Sequence, residues 1–286
     1  APVDPSDCAL YSPRQISWGR PILQEHTLAS GMTCLVARPE VEGTRPAVVL
    51  IHERYGIVEH QHLLAERLAS DGYVACLPDL FHRFDGDREA LARGDARCDM
   101  RDDEAVADLD ETLAFLREQS YVSGEDIGIM GVCQSGRQPL LFAASRHDVA
   151  SIVVAYGGVG RNEWSANDAR PTPVSELINA IECPVLGLFG EEDHVVAVEE
   201  VGKFRDTLEA ARKSYRIRIY DGAPHGWLND TMPGRYRPAQ AEAAWAELLQ
   251  FFGETLDARW DTTKVVWSYE STIAPTYDFA NNVRLE

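Results

Sequence analysis

The sequence has no long apolar run: nothing in its 286 residues approaches the ~18 uncharged apolar positions of a membrane-spanning helix. It is also short of positive charge, with 27 Lys+Arg against 46 Asp+Glu and a formal net charge of −19. A surface that acidic repels phosphate backbones and anionic lipid, so neither nucleic acid nor a membrane is an expected partner. An anionic small molecule would need a local cluster of arginines, because the field of the whole chain does not steer it in. The opening Ala1-Pro-Val-Asp-Pro-Ser-Asp7 lacks a basic stretch leading into an apolar one, so no secretory signal is expected and a cytoplasmic location is. Cysteine is sparse: Cys8, Cys34, Cys76, Cys98, Cys133 and Cys183 form no C-x-x-C and no zinc-like pairing. Six could make three disulfides, but several sit in apolar, strand-like surroundings, and reduced thiols are the expectation. Lastly, no serine has a glycine two positions before it, which removes the serine form of the nucleophile elbow.

What is present is the material of a folded core, with 45% hydrophobic and 26% charged residues. The length suits one large domain or two small ones and needs no disulfide or metal staple. Short apolar runs recur at Pro46–His52, Gly72–Leu77, Asp126–Gly131, Ala150–Ala155, Pro184–Phe189 and Arg216–Tyr220. Runs apolar at successive positions suit strands buried on both faces, as in a parallel sheet. Between them lie helical spacings: Leu63, Leu64, Arg67 and Leu68; Val106, Leu109, Leu113 and Leu116; Val201, Phe204, Leu208 and Ala211; Trp245, Leu248, Leu249 and Phe252. This alternation predicts a doubly wound α/β sheet in one domain, residues 1–257 with a lead-in over 1–25. From 258 to 286 the character changes: Trp260, Trp267, Tyr269, Tyr277 and Phe279 stud a polar tail without helical period. Such a tail could pack on the body or pair with another subunit, and a monomer and a homodimer are both compatible with the sequence.

The strongest chemical signal is Gly131-Val-Cys133-Gln-Ser135-Gly136, which follows a strand pattern and opens a helical one. Small residues around a strained turn let a nucleophile project above the sheet edge, and here the nucleophile would be Cys133. A buried core cysteine before an ordinary glycine turn is the alternative. In this arrangement acid and histidine follow the nucleophile in chain order. Asp193, in Gly190-Glu-Glu-Asp193, and His225, in Gly222-Ala-Pro-His225-Gly-Trp227, both lie just past predicted strands, where α/β sites assemble. An aspartate there would orient the imidazole and stabilise its charged form.

Together these segments resemble the dienelactone hydrolase family of α/β-hydrolases, the carboxymethylenebutenolidases, across residues 25 to 257. The resemblance extends to Asn229-Asp230, Arg235-Tyr236, the helix carrying Ala243-Ala244-Trp245, and Glu53 in His52-Glu-Arg-Tyr-Gly56. It implies an α/β-hydrolase fold and a cofactor-free, metal-free hydrolase of small esters or lactones working through a cysteinyl acyl-enzyme. It also implies that Pro78-Asp-Leu-Phe-His-Arg83 is a substrate-binding loop, with Arg83 the anchor for a carboxylate and Arg54 and Arg137 as nearby candidates. Tyr55, Trp227 and Asn229 are expected to line the same pocket. The sequence departs from the family in three places: Ser135 replaces a glycine of the elbow, Asn229 stands where a second anchoring arginine would be, and the aromatic tail after 258 lies outside the minimal family domain.

Glu53 has its own argument. An unpaired thiolate in an apolar elbow is costly, and a carboxylate within reach could take the thiol proton once substrate arrives. His225 would then serve the leaving group, and Cys133 would rest as a neutral thiol. A surface glutamate or an ion pair with Arg54 explains the residue equally well. The backbone N–H groups of Arg54 and Gln134 are candidates for an oxyanion hole. His60-Gln-His62 with His52 and Glu59 reads as a solvated helix start rather than a metal site, and Arg101-Asp-Asp-Glu104 as a helix N-terminus favoured by the macrodipole. His82 is expected beside Arg83 in the pocket. A non-hydrolytic ligand-binding or thiol redox-sensing protein on the same fold is the competing reading, although a sensor would need only the cysteine.

Overall fold

Residues 20–258 and 260–271 are described in the computed structural model of the chain. Its strands are β1 (Ile22–Thr27), β2 (Thr33–Arg38), β3 (Arg45–Ile51), β4 (Val74–Pro78), β5 (Val122–Val132), β6 (Ser151–Ala155), β7 (Val185–Gly190), β8 (Tyr215–Tyr220) and β9 (Trp267–Ser271). They form one sheet in the order β1-β2-β4-β3-β5-β6-β7-β8-β9. Pairing is parallel from β4 through β9, and β2 runs antiparallel to both β1 and β4.

The continuous apolar runs follow from burial on both faces. Along β3, Ala47, Val49 and Ile51 enter one core and Val48 and Leu50 the other; along β5, Ile127 and Ile129 oppose Met130 and Val132 in the same way. Helices α1 (Glu59–Ser70) and α7 (Pro238–Phe252) cover one face through Leu64, Leu68, Trp245 and Leu248. Helices α3 (Asp102–Arg117), α4 (Arg137–Ser145), α5 (Val174–Ala180) and α6 (Val198–Ala210) cover the other through Leu109, Leu113, Phe142, Leu177 and Phe204. A short α2 (Arg88–Arg93) starts where the Asp87 carboxylate accepts from the N–H groups of Glu89 and Ala90, and stops at Gly94.

Three strands lie outside the apolar runs. β1 is an edge strand with four of its six residues exposed, so no hydrophobic pattern marks it. β2 carries the alternation of a half-buried strand over only six residues. β9 falls within the 258–286 segment and lies parallel to β8, held by Tyr215 N–H to Val266 O at 2.8 Å and Trp267 Nε1 to Lys213 O at 2.9 Å. The described part of that segment therefore ends in a strand of the same sheet; Tyr277 and Phe279 lie outside the described residues, as does Cys8.

On α1 the buried face is His60, Gln61, Leu64, Ala65, Leu68 and Ala69, while Leu63 is exposed. His60 and Gln61 are thus interior groups and not the solvated helix start expected: His60 Nδ1 lies 3.2 Å from Asp230 Oδ1. Because β3 lies between β4 and β5, the chain leaves it to one side and returns on the other. The carboxyl ends of β3 and β5 then open on a shared crevice, the place where α/β sheets gather their sites.

Candidate active site

Cys133 stands at the carboxyl end of β5, the first residue of a 3-10 turn (Cys133–Gly136) that leads into α4. Its φ of 56° lies in the left-handed region that a side chain rarely occupies, so the turn is strained. Two glycines let the backbone close on itself there. A Cβ at Gly131 would lie 2.1 Å from Ser135 O, and one at Gly157, after β6, 1.7 Å from Cys133 O. Ser135 tightens the elbow further. Its Oγ accepts from Val132 N–H at 2.9 Å and lies within donating reach of Ile51 O at 3.1 Å, tying the end of β5 to the end of β3.

The structure brings Cys133, His225 and Asp193 together from the ends of β5, β8 and β7. Cys133 Sγ is 3.1 Å from His225 Nε2, and His225 Nδ1 is 2.9 Å from Asp193 Oδ2. The other Asp193 oxygen accepts from the N–H groups of Val195 and Val196 at 2.7 and 3.0 Å, which holds the carboxylate in place. Burial alone would hold the imidazolium down, but the hydrogen bonds to Asp193 and Cys133 outweigh it and push His225 up to about 10.

Glu53, at the end of β3, is 2% exposed and borders the same cleft. It makes no ion pair with Arg54; instead Tyr156 OH donates to one oxygen at 3.1 Å and Asn229 Nδ2 to the other at 2.9 Å. Tyr156 was not singled out from the sequence. It follows β6 directly, presents its ring to His225 at 5.5 Å between centroids, and has its phenol pushed well above the ordinary value by burial and the neighbouring Glu53 charge. Its position at a strand end just before Gly157-Gly158 was the available signal.

The cleft above these groups has a volume of about 690 Å³. Tyr55 lines it, as do Arg54 and Gln134, whose backbone N–H groups are the oxyanion-hole candidates. Several expected lining residues are elsewhere. Arg83 forks onto Asp108 of α3 with both contacts at 2.7 Å, and His82 turns to the same carboxylate at 3.3 Å. Arg137 is buried, bound to Asp102 at 2.6 and 2.9 Å, to Thr172 O at 2.6 Å and to Glu163 at 3.2 Å. Asp102 is accordingly more than an acidic helix start: it neutralises an interior arginine. Trp227 is fully buried against Tyr220 and Tyr156, and Asn229 serves Glu53 rather than the open cleft. Among the described residues, no group of three or more His, Cys, Asp or Glu could hold a metal ion, and no helix is long and apolar enough to cross a membrane.

The chain as a whole is similar to known proteins. The profile of the dienelactone hydrolase family matches residues 32–256. A "Putative carboxymethylenebutenolidase" of Salmonella typhimurium is 30% identical over 229 residues, covering 78% of this chain and 83% of that protein. A "Probable 2-oxo-3-(5-oxofuran-2-ylidene)propanoate lactonase" of Bradyrhizobium is 29% identical over 217 residues, 75% of this chain and 86% of its own length. Among solved structures, a "Putative Dienelactone Hydrolase" from Klebsiella pneumoniae superposes with a TM-score of 0.74 at 27% identity, covering 82% of this chain and all of that one.

Proposed function

Since the chain belongs to the dienelactone hydrolase family and is an α/β-hydrolase, we infer that it cleaves small esters or lactones through Cys133, with His225 and Glu53 moving the protons and Asp193 holding the imidazole. The observation that carries the reading is the 3.1 Å approach of His225 Nε2 to the strained sulfur, with Asp193 behind the ring. The bond to Asp193 favours the protonated imidazole, which suits His225 to the leaving group. Taking the thiol proton falls to Glu53, once entering substrate breaks a bond from Tyr156 or Asn229 and frees an oxygen.

The steps then balance. Glu53 takes the thiol proton, and the thiolate adds to the carbonyl carbon. The oxyanion rests on the N–H groups of Arg54 and Gln134. Collapse expels the alkoxide, which receives the His225 proton, and leaves a thioester on Cys133. Now neutral, His225 takes a proton from water as the water attacks the thioester, and the acid departs. Glu53 returns its proton to the freed thiolate. No cofactor enters the scheme.

The test is turnover of p-nitrophenyl acetate together with iodoacetamide labelling of Cys133. Cys133→Ala should lower kcat by about 10³-fold or more with the fold intact, as for loss of a triad member. Glu53→Gln should cost most of the rate, because an amide cannot take a proton. Labelling should be slow in the free enzyme below pH 7 and faster with a non-reactive substrate acid bound. Near wild-type turnover in Cys133→Ala would refute the reading, and rapid resting labelling below pH 7 would remove Glu53 as the base.

A further inference from the structure

Five arginines, Arg54, Arg97, Arg161, Arg170 and Arg235, border the cleft against three carboxylates, Glu53, Asp99 and Glu163. This is the reverse of the chain's overall balance. Two of the five are engaged: Arg54 donates to Gly94 O at 2.6 Å, and Arg170 pairs with Glu163. Arg97, Arg161 and Arg235 are exposed, and among the described residues their side chains have no hydrogen bond, ion pair or ring contact. Acids outnumber bases by a wide margin in this chain, and most of its other arginines have found carboxylates. Three cations left without counter-charge around one cleft are therefore a local field opposite to the global one.

Each of the three is set in place by bonds that do not use its guanidinium. Arg97 sits on the segment 94–98, hung at one end on the Arg54 side chain and at the other on Gln134, whose Nε2 donates to Cys98 O at 2.8 Å. The two residues proposed for the oxyanion hole thus also fix the loop that carries Arg97. Arg161 opens the turn Arg161–Trp164, which Glu163 fastens to Arg137 and Trp164 Nε1 to Val159 O at 2.9 Å. Arg235, whose backbone N–H donates to Met232 O at 2.8 Å, lies over Gly226, beside His225; a Cβ at Gly226 would stand 3.7 Å from its Nη1.

One carboxylate has two oxygens and suits one or two guanidinium forks; three call for more negative charge. We propose that the cleft takes esters or lactones bearing two negative charges apart from the scissile carbonyl, with Arg97, Arg161 and Arg235 as the residues that select them. This rests on the hydrolase reading above. It places anion recognition on residues other than Arg83 and Asn229, which are committed to Asp108 and Glu53. Two carboxylates or one phosphonate-like group would supply the same oxyanion chemistry.

The experiment compares kcat/KM for p-nitrophenyl esters of matched acyl length carrying no charge, one carboxylate, two carboxylates, or one terminal phosphonate. At low salt each added charge should raise kcat/KM about tenfold, and high salt should shrink the gain. Replacing Arg97, Arg161 or Arg235 singly by Met should lower the dianion-to-neutral ratio by roughly tenfold, and all three together should abolish the preference. Arg212→Gln, exposed on the turn after α6, is the control and should leave the ratio in place. A preference for the two-carboxylate or the phosphonate ester supports the proposal and says which group the arginines fit. A dianion no faster than the monoanion, or a ratio unmoved in the triple variant, overturns it. Neutral-ester turnover that survives Cys133→Ala would instead overturn the hydrolase reading on which it rests.

Discussion

At the scale of single residues the proposed chemistry turns on which group carries a proton at rest. His225 is raised to about 10 against an ordinary value of about 6.5, so its charged form persists through neutrality and is lost only as pH rises through the raised value. The leaving group needs that proton. The kcat/KM profile should therefore hold through neutral pH and fall on an alkaline arm near pH 10. Asp193→Asn removes a main support of the charge, and the arm should move down by more than one pH unit while kcat falls. An alkaline limit that stays put in Asp193→Asn would detach it from His225. Much of this constellation was legible in the sequence, since Glu53, Cys133, Asp193 and His225 each directly follow or lie just beyond a strand. Its wiring was not. Nothing local tells that Asn229 and Tyr156 close on Glu53, or that Arg83 has Asp108 waiting on α3, because each partner is set by a tertiary contact far away in the chain.

At the scale of elements, the six strands β3–β8 were readable because burial on both faces forces continuous apolar runs. β1 and β2 were not, because an exposed edge and its half-buried neighbour impose no such demand. Recognising β9 required seeing it beside β8. Interior charge was the other hidden feature: α3 is pinned to α4 by Asp102 and Arg137, both almost fully buried, from two helix starts that look like ordinary polar surface. Removing one partner of such a pair strands the other charge. Asp102→Asn should cost about 3–5 kcal/mol in urea unfolding, whereas the double change Asp102→Leu with Arg137→Met should recover much of it. A single variant as stable as the wild type would show the pair to be dispensable. Glu163, held above the usual carboxylate range by burial against the pull of Arg170, belongs to the same cluster and anchors the Arg161 turn.

Across the whole molecule, the sheet joins an edge with no part in the site to a centre that holds it. β9 lies beyond β8, three strands removed from β6, and its removal strips bonds from β8 without touching the cleft. A chain ended at Asp257 should melt roughly 5–10 °C lower, taking about 2–4 °C per kcal/mol for this size, and keep kcat/KM for p-nitrophenyl acetate within about threefold. Turnover lost at an unchanged Tm would mean that the tail reaches the site. The sulfur and its imidazole are also 92 residues apart along the chain, and the glycine that closes under the elbow follows a later strand than the cysteine does. A ribosome therefore finishes the cysteine segment long before it delivers the histidine. Until β7 and β8 dock, a nascent chain displays an ordinary thiol, and its power to attack esters arrives together with those two strands.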